Sequence, residues 1–183
     1  MSSPPDTASD AELISRVLLR DDRRAFGELV ARHQSAVRGL LRRLTGGDLA
    51  WADDLAQETF LRAYRGLRGY RGGAKFSSWL YRIACNVFFS RDRGSRDAPL
   101  EPPPLEAGDA EEAALPDLLL ERYDLERALA SLKPRERAAL VLTYANELTH
   151  EEAAVVLDCP LGTLKTHVAR AKEKLRRQLE ETP

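Results

Sequence analysis

Cysteine is scarce in this chain of 183 residues: Cys85 and Cys159 stand far apart, without the close spacing of a zinc site. Two cysteines build no disulfide framework, and both read as small buried hydrophobes inside helix-rich segments. Histidine is equally sparse, at His33, His150 and His167. No nucleophile–base pair, phosphate loop or metal-ligand cluster can be assembled, so the chain reads as a non-enzyme that needs no cofactor and no metal. Apolar runs long enough to span a membrane are missing. The start, Met1-Ser2-Ser3-Pro4-Pro5-Asp6, has neither a basic n-region nor an apolar h-region, so a reducing cytoplasm is the expected address. The alternating pattern of a strand is missing as well. With 43% apolar and 31% charged residues, what remains is a globular, helical chain, long enough for one ordinary domain or two small ones.

The net charge of −1 hides a strong segregation. Residues 10–96 hold 17 Lys/Arg against 10 Asp/Glu, whereas 97–117 hold seven acids and no base. Residues 118–183 balance at 11 of each, with the cations crowded toward the end. Such a distribution fits a nucleic-acid partner even though the net charge does not. The acidic stretch also carries Pro99, Pro102, Pro103, Pro104 and Pro116, a composition that builds no core. The expected organisation is therefore all-α, with a disordered 1–9, a helical domain over 10–96, a flexible linker over 97–117 and a second helical domain over 118–183.

In the first domain Leu13, Ile14, Val17 and Leu18 mark a short helix. Phe26, Leu29, Val30, Val37, Leu40, Leu41 and Leu44 sustain a helical period until Gly46-Gly47. A third stripe runs from Leu55 to Leu67, and a Gly-rich loop over 69–73 follows. Trp79, Leu80, Ile83, Ala84, Val87 and Phe88 mark a fourth helix beginning near Ser77, with Trp79 and Phe88 expected in the core. The second domain adds helices near 118–132 and 134–146, Pro134 taking a first-turn position.

The segment Leu148–Arg177 is the most telling. Thr149 and Glu152 have capping-box spacing, which predicts a helix through Leu157. Asp158-Cys159-Pro160 breaks it, and a second helix then carries Leu164, Val168, Ala171, Leu175 and Leu179 as one apolar stripe. Its other faces hold Thr163, Lys165, Thr166, His167, Arg170, Lys172, Lys174, Arg176 and Arg177, six cations against Glu173. A helix-turn-helix of this kind suits a major groove, early residues on base edges and later cations on phosphates. A solvated basic face is the plainer alternative.

Asp54, Gln57, Glu58, Leu61 and Arg62 share one mixed face of the third helix, fit to dock a partner helix, although from spacing alone a solvated face is the simpler account. Between Tyr64 and Phe89 aromatic and basic residues interleave, among them Tyr70, Arg71, Lys75, Phe76, Tyr81 and Arg82. Rings beside cations suit unstacked single-stranded bases, and Asn86 can read a Watson–Crick edge. Tyr70, Arg71 and Lys75 lie in the Gly-rich loop, where exposure is expected.

The strings DDLAQETFLRAYRGL, YRGGAKFSSWLYRIACN and DCPLGTLKTHVARAKEKLR resemble those of extracytoplasmic-function sigma factors of bacterial RNA polymerase. The resemblance covers residues 10–96 and 118–180, in the family's order. It implies that Asp54, Gln57 and Glu58, with Leu61 and Arg62 beside them, face the polymerase clamp helices. It implies that Tyr70, Arg71 and Asn86, with Lys75 and Arg82, meet the minus-10 element, where a base is flipped out. Lys165, Thr166, Ala169 and Arg170 match positions that meet the minus-35 element, with Thr163 and His167 on the same helix. Ala169 is small, so contact with a thymine methyl is weak there, and His167 stands where a basic residue is common. The implied partners are core polymerase, promoter DNA and an anti-sigma factor, the linker passing through the polymerase cleft. Two rivals remain at this stage. A helix-turn-helix repressor would need a dimer, yet no dimerisation heptad is visible and no obligate homo-oligomer is expected. A protein-interaction module that binds an anti-sigma factor but no DNA would have no need of the basic helix.

Overall fold

Helix starts in this protein are set by short polar side chains. In a computed structural model, which describes residues 8–95 and 125–180, Ser9 and Glu12 form a capping box that opens α1 (Asp10–Arg20). Asp22 accepts from the Arg24 and Ala25 amides, each at 3.1 Å, to open α2 (Arg23–Leu44). Asp48 accepts from Trp51 N at 2.9 Å to open α3 (Leu49–Gly66), which tightens into a 3-10 turn at Leu67–Gly69. Each cap satisfies an amide that the first helical turn leaves orphaned. After the loop, α4 (Phe76–Ser95) begins one residue before the expected Ser77.

The second region contributes α5 (125–130), α6 (Pro134–Tyr144), α7 (His150–Val156) and α8 (Leu161–Glu180). Pro134 opens α6 as the spacing predicts. Every element among the described residues is helical, as expected. The expected linker 97–117, residues 1–7 of the expected disordered 1–9 and the start of the helix expected near 118 lie outside the described residues, while Ser9 caps α1.

In the first region α2 packs against α1, α3 and α4. Leu13, Leu29, Leu40, Leu41, Leu44, Leu55, Leu67, Leu80 and Phe88 are fully buried there. Each contributes about 1.5–3 kcal/mol by leaving water. In the second region α6, α7 and α8 pack on one another around Leu142 and Leu164. The two regions also touch, α2 against α6 and α4 against α7. At the α2–α3 corner Gly46 (φ 69°) and Gly47 (φ 95°) take left-handed conformations. A Cβ on Gly47 would come 2.5 Å from the Glu126 carboxylate, so a side chain there would push that carboxylate aside.

Leu13, Ile14 and Val17 are buried in α1, with Leu18 at the rim, 36% exposed. Two expectations need correction. Trp79 is half-buried rather than core, stacked on Phe76 at 5.5 Å at the end of the bundle. Phe76 and Tyr81, read as part of a base-stacking surface, are 5% and 7% exposed. Tyr81 lies three residues before Ala84 and seven before Phe88, so helical geometry turns it inward with them.

Candidate nucleic-acid interface

The helix-turn-helix is built by local bonds. Thr149 Oγ1 accepts from Glu152 N at 3.1 Å, while the Glu152 carboxylate accepts from Thr149 N at 2.9 Å. That backbone bond is the main reason the Glu152 carboxyl is held below its ordinary range. Leu157 ends α7, and Asp158 turns the chain left-handed at φ 50°. Cys159 N donates to Ala154 O at 3.1 Å, closing the turn before α8.

Leu164, Val168 and Ala171 are buried against α6 and α7, so the opposite side of α8 is fixed outward. Thr163, Lys165, Thr166, Ala169 and Arg170 are exposed on it. Thr166 Oγ1 donates to Gly162 O at 2.9 Å. Among the described residues no ion pair engages Lys165 or Arg170. The later cations, expected on phosphates, have partners within the chain. Lys174 Nζ lies 2.8 Å from Glu136 Oε2, and Arg176 and Arg177 both pair with Glu173, at 3.2 and 3.1 Å. Lys172 Nζ sits 4.4 Å over the Tyr144 ring. Helix spacing places Glu173 three and four residues before the two arginines, which makes these pairs local.

His167, expected beside DNA, is half-buried and lines a groove with Phe89, Asp92, Arg135, Glu136 and Arg170. Its Nδ1 is buried without a hydrogen-bond partner among the described residues. Burial pushes its pKa below the ordinary imidazole range, with the neighbouring Glu136 carboxylate opposing.

On α4, Arg82 and Asn86 are exposed and Phe89 half-buried, at steps of four and three that form one stripe. Arg71 and Lys75 are exposed in the loop, as expected. Tyr70 is not: its ring lies 5.5 Å from Phe76 and 5.4 Å from Trp79, and its hydroxyl donates to Ala74 O at 2.6 Å. The ring holds the loop in shape and leaves only an edge outside. Tyr64 is also tied inward, donating to Asp21 at 2.8 Å.

The α3 face stands apart from these. Asp54 and Gln57 are exposed, Leu61 is 52% exposed, and Glu58 pairs with Arg62 at 2.6 Å. Behind it Ala52, Leu55, Ala56 and Ala63 are buried, so the helix cannot rotate its polar side away. Cys85 is fully buried, its thiol pushed up to about 12 by burial, which makes it inert as a nucleophile.

Sequence reasoning missed the contacts between the two regions. Arg42 Nη2 lies 2.6 Å from Glu126 Oε1, and Arg137 donates to Leu44 O, to Ala130 O at 2.7 Å and to Leu132 O at 3.2 Å. The one local signal was a set of ionisable residues, Glu126, Glu136 and Arg137, between apolar positions of short helices. It does not say which partners they meet.

The arrangement defines a class: a two-region helical protein whose last two helices form a helix-turn-helix with an outward basic face and whose first region presents a separate, mixed polar and apolar helix face. Comparison with known proteins carries this further. Residues 29–96 match the model for Sigma-70 region 2, and residues 122–175 match that for Sigma-70, region 4. The RNA polymerase sigma-H factor of Pseudomonas aeruginosa is 33% identical, the alignment covering 93% of this chain and 94% of that protein. The ECF RNA polymerase sigma-E factor of Escherichia coli (strain K12) is 36% identical over 91% of this chain and 92% of its own length. The solved sigma factor RpoE in complex with the anti-sigma factor NepR, from Bartonella quintana, superposes with a TM-score of 0.71 at 25% identity, covering 86% of this chain and 98% of that one. CnrH, solved with the cytosolic domain of CnrY, gives 0.69 at 27% identity, with 95% and 96% covered. The chain belongs to the extracytoplasmic-function sigma factors, the small promoter-specificity subunits of bacterial RNA polymerase. It is accordingly a non-enzymatic initiation factor that binds core polymerase and promoter DNA. Among the described residues no helix is long and apolar enough to cross a membrane.

Proposed function

We propose a division of labour among three surfaces of this sigma factor, working in the cytoplasm. Asp54, Gln57 and Leu61, with the Glu58–Arg62 pair, dock α3 on the polymerase clamp helices. Arg71, Lys75, Arg82 and Asn86, with the exposed edge of Tyr70, hold the melted minus-10 strand. Thr163, Lys165, Thr166, Ala169 and Arg170 read the minus-35 duplex. The residues from about 10 to 96 and from about 118 onward then act as the two functional domains. The observation that carries this reading is the outward orientation of those early α8 side chains while Leu164, Val168 and Ala171 pin the other side.

Melting is driven by preferential binding of the open strand, since a ligand moves an equilibrium by its differential affinity for the two states. Asn86 contributes a donor and an acceptor, and Arg71, Lys75 and Arg82 contribute phosphate charge. The likeness to RpoE, solved in complex with the anti-sigma factor NepR, supports an anti-sigma factor as the regulator of this chain too. Such a partner would bury the α3 and α8 surfaces together.

Transcription of a genomic-fragment library by core polymerase, with and without the protein, tests the whole reading. The expected result is start sites that appear only with the protein and share two spaced upstream elements. Arg170→Ala should then weaken minus-35 binding by about 1–3 kcal/mol on the cognate sequence alone. Asn86→Ala should spare polymerase binding and slow promoter opening. Equal weakening by Arg170→Ala on every duplex would reduce that residue to a phosphate contact, and loss of polymerase binding by Asn86→Ala would make that residue structural.

A further inference from the structure

The loop that carries Arg71 and Lys75 runs from the 3-10 turn at Leu67–Gly69 to the first residue of α4, and Gly72 within it is left-handed at φ 71°. Rings give the loop its shape. Tyr70 lies against Phe76 and Trp79 and closes the span by donating to Ala74 O. Phe76 is buried and opens α4, so it anchors the far end. The His33 ring of α2 meets Phe76 edge to face, 5.3 Å between centres at 72°. His33 Nε2 lies 2.7 Å from Asp10 Oδ2, and the ring nitrogen donates, since an ionised carboxylate only accepts. That bond fixes the plane of the imidazole, and so the way it meets Phe76.

Asp10 is placed by local sequence. It is the first residue of α1, directly after Ser9, and the Ser9–Glu12 capping box fixes where that helix starts. Arg32 Nη1 holds the other carboxylate oxygen, Oδ1, at 3.2 Å. Burial chiefly, and the Asp10 carboxylate with it, raise the Tyr70 hydroxyl above its ordinary range. Direct contacts therefore run from the start of α1 through Asp10, His33 and Phe76 to Tyr70, and end at the loop with its two exposed cations. None of these residues belongs to α3 or α8. The Asp10 carboxylate is partly in solvent, where a pair of this kind adds little to stability. Its specific contribution is the direction it gives the ring.

We propose that His33, oriented by Asp10, is a positioning residue for capture of the minus-10 strand: it acts through Phe76 and Tyr70 on the placement of Arg71 and Lys75. The inference rests on the assignment of those two cations to the melted strand, proposed above. Without the His33 ring, Arg71 and Lys75 keep their charge but are no longer preset for the strand. Their ordering then falls within promoter opening and is subtracted from strand affinity. Docking on polymerase and reading of the minus-35 duplex use other surfaces and stay as they are.

The test uses the full chain assembled with core polymerase. His33→Gln keeps an amide donor for Asp10 and removes the ring; Asp10→Ala removes the orienting carboxylate and carries the same reading should the imidazole prove necessary for folding. Circular dichroism establishes that each variant is folded. One probe is a forked promoter fragment, duplex at minus-35 and single-stranded at minus-10, from a start site the protein supports; the other is a duplex covering minus-35 alone. Each variant should bind the forked fragment about fivefold more weakly and open the promoter more slowly by a similar factor. Polymerase binding and affinity for the minus-35 duplex should stay within about twofold of wild type. In an Arg71→Ala/Lys75→Ala background, adding His33→Gln should cost less than about twofold more, because the groups it positions are gone. An undiminished cost in that background would overturn the inference, as would forked-fragment binding within about twofold of wild type for both variants. Equal losses on the minus-35 duplex or in polymerase binding would make His33 a structural residue and overturn it too. If Arg71→Ala/Lys75→Ala alone leaves forked-fragment affinity unchanged, the surface assignment fails and takes this inference with it, a pattern distinct from the others.

Discussion

The first region is held by bulk and the second by pins. Eight leucines and Phe88 are fully buried among α1 to α4, whereas the second region offers Leu142 and Leu164 beside Ala138, Ala139, Ala153 and Ala171. Alanines let α6, α7 and α8 approach closely but bury little apolar area each. The deficit is met by polar groups of defined geometry: the Thr149 cap, the Glu136–Lys174 pair and the Arg137 guanidinium on three carbonyls. A region built this way is small and thin, which lets a recognition helix stand clear of its support. It is also more sensitive to pH and to the loss of single hydrogen bonds.

The sharpest break of this contrast is a cavity in the first region. Phe88→Ala should cost about 3–5 kcal/mol, read as a lowered midpoint in urea unfolding. A loss below about 1 kcal/mol would mean that the bundle collapses into the space. Next comes Arg137→Ala, which strands the carbonyls of Leu44, Ala130 and Leu132; about 2–3 kcal/mol is expected, since each hydrogen bond to a charged donor is worth about 1.5–3 and water recovers part of it. Arg137→Lys should recover only part of the loss, because a point charge cannot span three acceptors. A smaller effect, about 1 kcal/mol, is expected for Thr149→Ala, with Thr149→Ser restoring nearly all of it. If the serine variant does no better than alanine, the methyl group and not the cap is the stabilising part.

The smallest effect is a slope in pH. Burial depresses the His167 pKa, so the folded chain binds its proton less readily than the unfolded chain. Stability from this group is therefore complete above the ordinary imidazole range, about 6.5, and declines as pH falls below it. His167→Gln should flatten the thermal-melting midpoint against pH between about 7 and 5. Glu136 acts lower on the scale. Burial pushes its carboxyl up, but the Lys174 bond and charge outweigh it and leave the pKa lowered. Its stabilisation is present above the ordinary carboxylate range and is lost as pH falls through the folded value, so Glu136→Gln should lower stability at neutral pH and flatten the acid limb.

The two regions also differ in how far they were readable in advance. In the helix-turn-helix, the Thr149–Glu152 box, the break at Asp158–Pro160 and the buried stripe from Leu164 to Ala171 follow from contacts within four residues, and the structure has each of them. Pro134 at the head of α6 and the Gly46-Gly47 stop are local in the same sense. In α4, composition misled, because a ring beside an arginine has the same letters whether it faces a base or a core. Only packing decided that Phe76 and Tyr81 point inward, that Trp79 lies at the rim and that Tyr70 braces its own loop. The local partners of the later α8 cations were also not legible: a basic residue one turn from Glu173 or across from Glu136 has a partner in the free chain.

Helix periods, caps, breakers and the three family strings are properties of neighbours along the chain, and the sequence by itself determined them. Which ring is buried, which cation is spent and how the regions meet depend on pairs such as Arg42 and Glu126, which stand 84 residues apart. No local rule selects one such pair among the many possible ones. Their energies arise only once burial has removed competing water, and that shielding exists only in the tertiary structure.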